Sequence, residues 1–354
     1  MSGAPIPYHP DQETIEADEE VISRRIAAVM DWGEEHARDP DCRYGRRSHA
    51  KCLGALAGQL EIAAGLDGAL AQGLFARAGR YRVLARLSHL PAERLDDRLV
   101  SSVRGLALRV FGVEGEPLDG HEGGTQDFVL DTGKAFNARN PKGVLAGMTT
   151  VEATAPLPQG FKAAVSHAAR IVNSGLDQVG LASANLDVLG HPRRHPLGEG
   201  YYSQAPIRWG DYVAKFGLVP QQGQGGDIAT DAPDALCDAV RSWCSGKETR
   251  FTVAAQLRVD ADRMPIENAR REWPEELSPY APVGEIVFPA QDPFEAERLQ
   301  LVEEAAFSPW HGLEDHRPLG AVMRARKYVY RALAEKRMRE RGYIDSQNRM
   351  SAHG

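Results

Sequence analysis

The apolar residues of this chain change their spacing several times, and each change marks a different element. Between residues 19 and 38, Ile22, Ile26, Val29, Met30 and Gly33 recur at steps that place them on one face of an amphipathic helix ending before Pro40. From about 49 to 135 the spacing becomes that of strands, clearest in Tyr81-Arg-Val-Leu-Ala-Arg-Leu-Ser88 and Gly105-Leu-Ala-Leu-Arg-Val-Phe111, with glycine-rich connections. Residues 159 to 177 read as helical, and 178 to 200 as a polar excursion containing His, Arg and Pro. Strand patterns return in Ile207 to Pro220 and Thr249 to Val259, so the two strand-rich regions would form the halves of one antiparallel barrel. Met264 to Pro289 lacks a regular period and is expected to wrap the outside of that barrel, ahead of a helical C-terminal third. Residues 1 to 18, proline-rich and then acidic, read as an arm that is either disordered or pinned to a neighbouring subunit.

With 354 residues and 42% hydrophobic content, the chain buries a large core as one big domain or two. A net charge of −7, without a block of Lys and Arg, argues against nucleic acid as a partner and leaves a small molecule as the expected one. No twenty-residue apolar run is present, and the N-terminus lacks a charged start followed by an apolar core, so a cytoplasmic protein without a membrane span is expected. The four cysteines include no Cys-x-x-Cys pair; Cys237 and Cys244 are expected as buried thiols rather than a redox pair.

Candidate chemistry begins with the helix-like segment from Arg324 to Arg337. Arg326, Tyr330 and Arg337 lie at offsets of four and seven, so they share one helix face. A guanidinium one turn before a phenol favours the ionised form of a group whose free pKa is near ~10. That meets the requirement of a phenolate ligand to ferric haem iron. The plain alternative is a solvated basic helix, because Arg and Tyr four apart is a common pair. Upstream, Arg86 and Ser88 are two apart on a strand and therefore point to one side of it.

Further motifs occur in a fixed order. They are Arg46-Arg-Ser-His49-Ala-Lys-Cys-Leu-Gly54 running to Glu61, Arg86-Leu-Ser88, Ser102 to Phe111 with its Arg-Gly-Leu-Ala core, Thr125-Gln-Asp-Phe128 through Phe136, and Gln291 to Phe307 ahead of the tyrosine helix. This collinear set, covering roughly residues 40 to 340, resembles the catalase superfamily. The length and the run from Pro309 to Gly320 are most similar to its small bacterial catalase-like haem proteins.

The resemblance implies an α+β fold: a catalase-like antiparallel eight-stranded barrel with a wrapping segment and C-terminal helices, and haem b buried between barrel and proximal helix. The division it implies is an arm and helix over 1–40, a barrel with a helical insertion over 41–260, a wrapping segment over 261–310, and the haem-ligand helix and tail over 311–354. Tyr330 would be the axial ligand of the haem iron, supported by Arg326, and Tyr328 with Arg324 four residues before it is the competing pair. His49 would be the distal acid–base residue, with Ser88 supporting its ring. Arg46, Arg86 and Arg337 would pair with haem propionates, and Phe136 would lie over the haem face. The helical NADPH-binding domain of the family is absent from the match, so no NADPH is expected. A homo-oligomer is.

Two departures bear on the reaction. Where the family carries a distal asparagine, just before Thr125, this chain has Gly123-Gly124, leaving Thr125 or Gln126 as replacements if the loop shifts. Before the histidine stands Ser48 in place of an aliphatic residue, a substitution similar to that of the catalase-related allene oxide synthases, where a hydroxyl restrains the histidine. Together they imply weak catalase turnover and a peroxidase or isomerase acting on organic or fatty-acid hydroperoxides. The alternatives are a minimal true catalase acting on hydrogen peroxide, and a non-enzymatic haem or lipid carrier.

Overall fold

A computed structural model describes residues 3–36, 46, 48–90, 94–98, 101–154, 191–229 and 231–341. The helix expected at 159–177 and the tail beyond 341 lie outside the described residues. In chain order the main elements are α1 (Glu19–His36), β1 (Cys52–Ile62), β2 (Gly79–His89), β3 (Arg104–Val113), β4 (Gly124–Thr132), α2 (Pro141–Thr154), β5 (Tyr201–Tyr202), β6 (Ile207–Trp209), β7 (Tyr212–Pro220), α3 (Ala235–Cys244), β8 (Thr249–Leu257), β9 (Ala281–Phe288), α4 (Ala296–Glu304) and α5 (Ala321–Arg341). No helix among the described residues is long and apolar enough to cross a membrane.

The strands form a closed antiparallel barrel of eight. Neighbours β1 to β5 pair in sequence, β5 pairs with β7, and β7, β8 and β9 lead back to β1, with β6 as an additional hairpin strand on β7. Closure removes the open edges an antiparallel sheet would otherwise present. The seam is the two-residue strand β5, where Tyr202 lies opposite Asp131 on one side and Gly217 on the other. A Cβ on residue 217 would come within 2.8 Å of the Tyr202 ring, so the seam closes only over glycine. Inside, Leu106, Leu108 and Val110 of β3 pack with Leu130, Leu218 and Phe251, and the rings of Phe128 and Phe216 stack with centroids 4.0 Å apart. By the two-residue period, Gly105, Ala107 and Arg109 of β3 face outward.

Two features depart from the expectations of the sequence. Residues 281–288, expected to be irregular, form β9, which pairs with β1 and β8. Pro282 and Gly284 disguise the strand, and both sit where β8 shifts register between Val253 and Ala254, a place that tolerates them. The preceding residues do wrap the barrel, burying Met264, Ile266 and Trp273 against Val213 and Leu319. The N-terminal arm, for its part, lies along its own chain. Ile6 N–H donates to the Arg258 carbonyl at 2.8 Å, Tyr8 N–H to Asp211 at 2.7 Å, and the Glu13 carboxylate meets Arg324 at 2.7 Å. The barrel end offers unpaired backbone groups and α5 offers a cation, and the arm satisfies both.

Cys237 and Cys244 are buried in the main core, and burial pushes their thiols up to about 12 and about 11. Helices α1, α2 and α5 pack together through Ile26, Met30, Val144, Met148, Val329 and Leu333. Their shared inner side faces the outer surface of β2, β3 and β4 across a cavity.

Candidate functional site

That cavity has a volume of about 240 Å³ and is walled by β2 to β4 on one side and by α1, α2 and α5 on the other. The strand register builds the barrel wall. Ser88, Gly105 and Asp131 lie side by side in one row across β2, β3 and β4, and Arg86, Ala107 and Val129 form the next row. Neighbours in such a row are close enough for their side chains to interact.

His49 precedes β1 and has a positive φ of 54°, a strained conformation for a non-glycine residue, held by its N–H donating to the Leu90 carbonyl at 2.8 Å. Its ring lies over Gly105, where an added Cβ would meet Cε1 at 2.5 Å and Nδ1 at 2.6 Å. The missing side chain in the middle of the row is the seat of the imidazole. Nδ1 is 3.0 Å from Ser88 Oγ, and that hydroxyl donates to the Gly105 carbonyl at 3.3 Å. With its proton spent there, the hydroxyl accepts from Nδ1–H, and Nε2 carries the lone pair. Burial, with Arg86, Arg326 and Arg46 nearby, pushes the imidazole down to about 3, so the ring is neutral near pH 7.

On the helical wall, Arg326, Tyr330 and Arg337 line the cavity from one face of α5. Arg326 donates to the Tyr330 oxygen at 2.9 Å. Burial works against the Arg326 charge, and Tyr330 and Asp131 more than offset it, so its pKa is raised. Tyr328 is instead 37% exposed, and Arg324 is committed to Glu13, Glu19 and Glu267. Of the two tyrosine–arginine pairs, the one that lines the cavity is Tyr330 with Arg326.

Arg46, Arg86 and Arg337 converge at the end of α4. Arg86 Nε meets Glu303 Oε1 at 2.7 Å and Arg46 Nε meets Oε2 at 3.0 Å, while Arg337 donates to the Glu303 carbonyl and, at 2.9 Å, to that of Ala305. Against the burial that would raise it, the two guanidiniums pull the Glu303 carboxyl down to about 2. In the sequence this stretch is recognisable only as a block and Glu303 does not stand out, because nothing local shows that three distant arginines meet there. Phe136 and Ser48 also line the cavity. Ser88 rather than Ser48 holds the imidazole.

Neither residue expected to replace a distal asparagine faces the histidine. Thr125 Oγ1 lies 3.3 Å from His121 Nε2, and Gln126 accepts from Leu313 N–H at 2.9 Å. Beside the other ring nitrogen stands Asp131, with Oδ1 3.7 Å from His49 Nε2. Oδ1 is buried and has no hydrogen-bond partner among the described residues. Burial pushes the carboxyl up to about 6, partly offset by Arg326.

No protein-family model and no curated protein matches the sequence. Solved structures do match in fold. A bacterial catalase superposes with a TM-score of 0.57 at 17% identity over 98% of this chain and 64% of its own. Catalase A from Saccharomyces cerevisiae gives 0.56 at 18% identity over 97% and 67%, and a fungal catalase 0.58 at 18% identity over 97% and 66%. The chain thus spans about two thirds of the length of these proteins. Nearly all of it shares the catalase-like fold with them, as a closed eight-stranded barrel carrying helices.

Proposed function

We propose that the protein is a haem-dependent oxidoreductase acting on peroxides, with organic or fatty-acid hydroperoxides as substrates and only weak turnover of hydrogen peroxide. The observation carrying this reading is the opposition, across one cavity, of the His49–Ser88 pair on the barrel and the Tyr330–Arg326 pair on α5. Haem b fits the residues present. Tyr330 offers a phenol oxygen braced by a cation, Arg46, Arg86 and Arg337, gathered around Glu303 and the carbonyls at the end of α4, give the cavity a positive edge for the propionates, and Phe136, Val322 and Val329 offer apolar surface to the ring. When bound, haem supplies the iron centre at which a peroxide O–O bond is cleaved.

The chain's own part is proton handling and positioning. Ser88 fixes the tautomer that leaves Nε2 of His49 as an acceptor, so the imidazole receives the hydrogen bond of the peroxide O–H and guides its proton toward the leaving oxygen. Arg326 donates a charge-assisted hydrogen bond that holds the Tyr330 oxygen in place. Ile26, Met30, Leu90, Val144 and Met148 make much of the remaining lining apolar, which favours a substrate with a hydrocarbon body over hydrogen peroxide.

An optical titration of the haem-loaded protein tests the proposal. Rapid consumption of a fatty-acid hydroperoxide with little oxygen release is the expected result. Vigorous oxygen release from hydrogen peroxide would make it a true catalase, and spectral silence toward both peroxides would make it a carrier.

A further inference from the structure

We propose that Asp131 is a further catalytic residue of this site, its carboxylate acting with His49 Nε2 as a pair of acceptors that captures a hydroperoxide through its O–H and takes the proton. The inference rests on the peroxide reading above and deepens it. Ser88 accepts the Nδ1 proton of His49, so the nitrogen beside Asp131 carries a lone pair. Two acceptors, Nε2 and Oδ1, therefore stand 3.7 Å apart with no hydrogen between them, and Oδ1 is buried without a partner among the described residues. A buried acceptor left unmatched is costly, and the ligand that relieves it must bring a donor. A hydroperoxide brings one O–H; an ionised ligand brings none and meets a negative charge.

The step balances as a proton transfer. The O–H bond of the hydroperoxide breaks, a new O–H bond forms on Asp131 Oδ1, and the electron pair stays on the terminal peroxide oxygen, with one negative charge before and after. The groups that act on the carboxylate are His49 from the segment before β1, Arg326 from α5 and Tyr201 from β5, with Arg46 and Arg86 acting on the imidazole. With the carboxyl at about 6 and the imidazole at about 3, the carboxylate is the stronger base of the pair and the better matched to neutral pH.

The experiment compares haem-loaded wild type, Asp131→Asn and Asp131→Glu by azide titration of the Soret band from pH 5 to 9, by consumption of cumene hydroperoxide, and by thermal unfolding. Asp131→Asn should keep the ferric spectrum and melting temperature and bind azide roughly tenfold more tightly at pH 8, with a smaller gain at pH 5, because a like charge has been removed. Its hydroperoxide rate should fall by about 10²-fold, with part recovered in Asp131→Glu. An Asp131→Asn protein unchanged in both azide affinity and rate would overturn the proposal. A wild type without a ferric phenolate spectrum, seen before any peroxide is added, would overturn the haem reading and this inference with it.

Discussion

Replacing Gly105 by Ala tests the seat of the imidazole directly. Gly105 does not have a positive φ, so alanine brings no backbone strain and the effect lies in the added methyl. Carbon atoms in contact normally sit about 3.5–4.0 Å apart. The new Cβ would lie 2.5 Å from Cε1 of His49, so the ring must retreat by about 1 Å. Sideways relief is closed, with Ser88 Oγ at 3.0 Å from one ring nitrogen and Asp131 Oδ1 at 3.7 Å from the other. Retreat by that distance, across the line of the contact, lengthens and bends the Ser88 hydrogen bond without fully breaking it. Overpacking costs about 1–3 kcal/mol and the weakened hydrogen bond up to about 1, set against ~0.4–1 kcal/mol from a stiffer unfolded chain, for a net loss of roughly 0–3.5 kcal/mol. A 1 Å misplacement of a catalytic group lowers rates by about 10²-fold. Urea unfolding at pH 7, haem content and initial rates of hydroperoxide consumption measure all three quantities. Gly105→Ala with wild-type rate and stability would refute both the packing of His49 over β3 and its part in the reaction.

Tyr330→Phe should abolish the ferric phenolate absorption, whereas Tyr328→Phe, at a position 37% exposed, should leave the spectrum unchanged; the reverse result would reassign the ligand. Glu303 contributes stability fully present above pH 4.5 and lost as pH falls toward about 2, worth roughly 3 kcal/mol. Glu303→Gln should therefore be less stable at pH 7 and lack that acid limb in a pH series of urea unfolding curves. Lys51 is buried 2.7 Å from the equally buried Asp97, so Lys51→Met should cost about 3–5 kcal/mol by leaving that carboxylate uncompensated. Adding Asp97→Leu should restore most of the melting temperature, and a silent Lys51→Met would show that the pair is not needed.

Relations set by local backbone geometry are legible in the sequence alone. The common face of Arg326, Tyr330 and Arg337 follows from helical period, and the common side of Arg86 and Ser88 from the two-residue period of a strand; the cavity receives all five. The strands around 81–88 and 105–111 announce themselves by the same local repeats. His49 has no such signal and stands out only through the resemblance of its surroundings to a known family. Asp131, Glu303 and β9 escape a reading of the sequence because each depends on distant pieces meeting. Asp131 joins the histidine through the register that aligns it with Gly105 and Ser88, and a one-residue slip would turn it to the other face. Glu303 matters because three arginines far apart in the chain arrive at α4, and residues 281–288 become a strand because β1 and β8 supply partners for its backbone. Local periodicity can say which side of an element a residue occupies, but the neighbour on that side is chosen by burial and hydrogen bonding across the whole barrel.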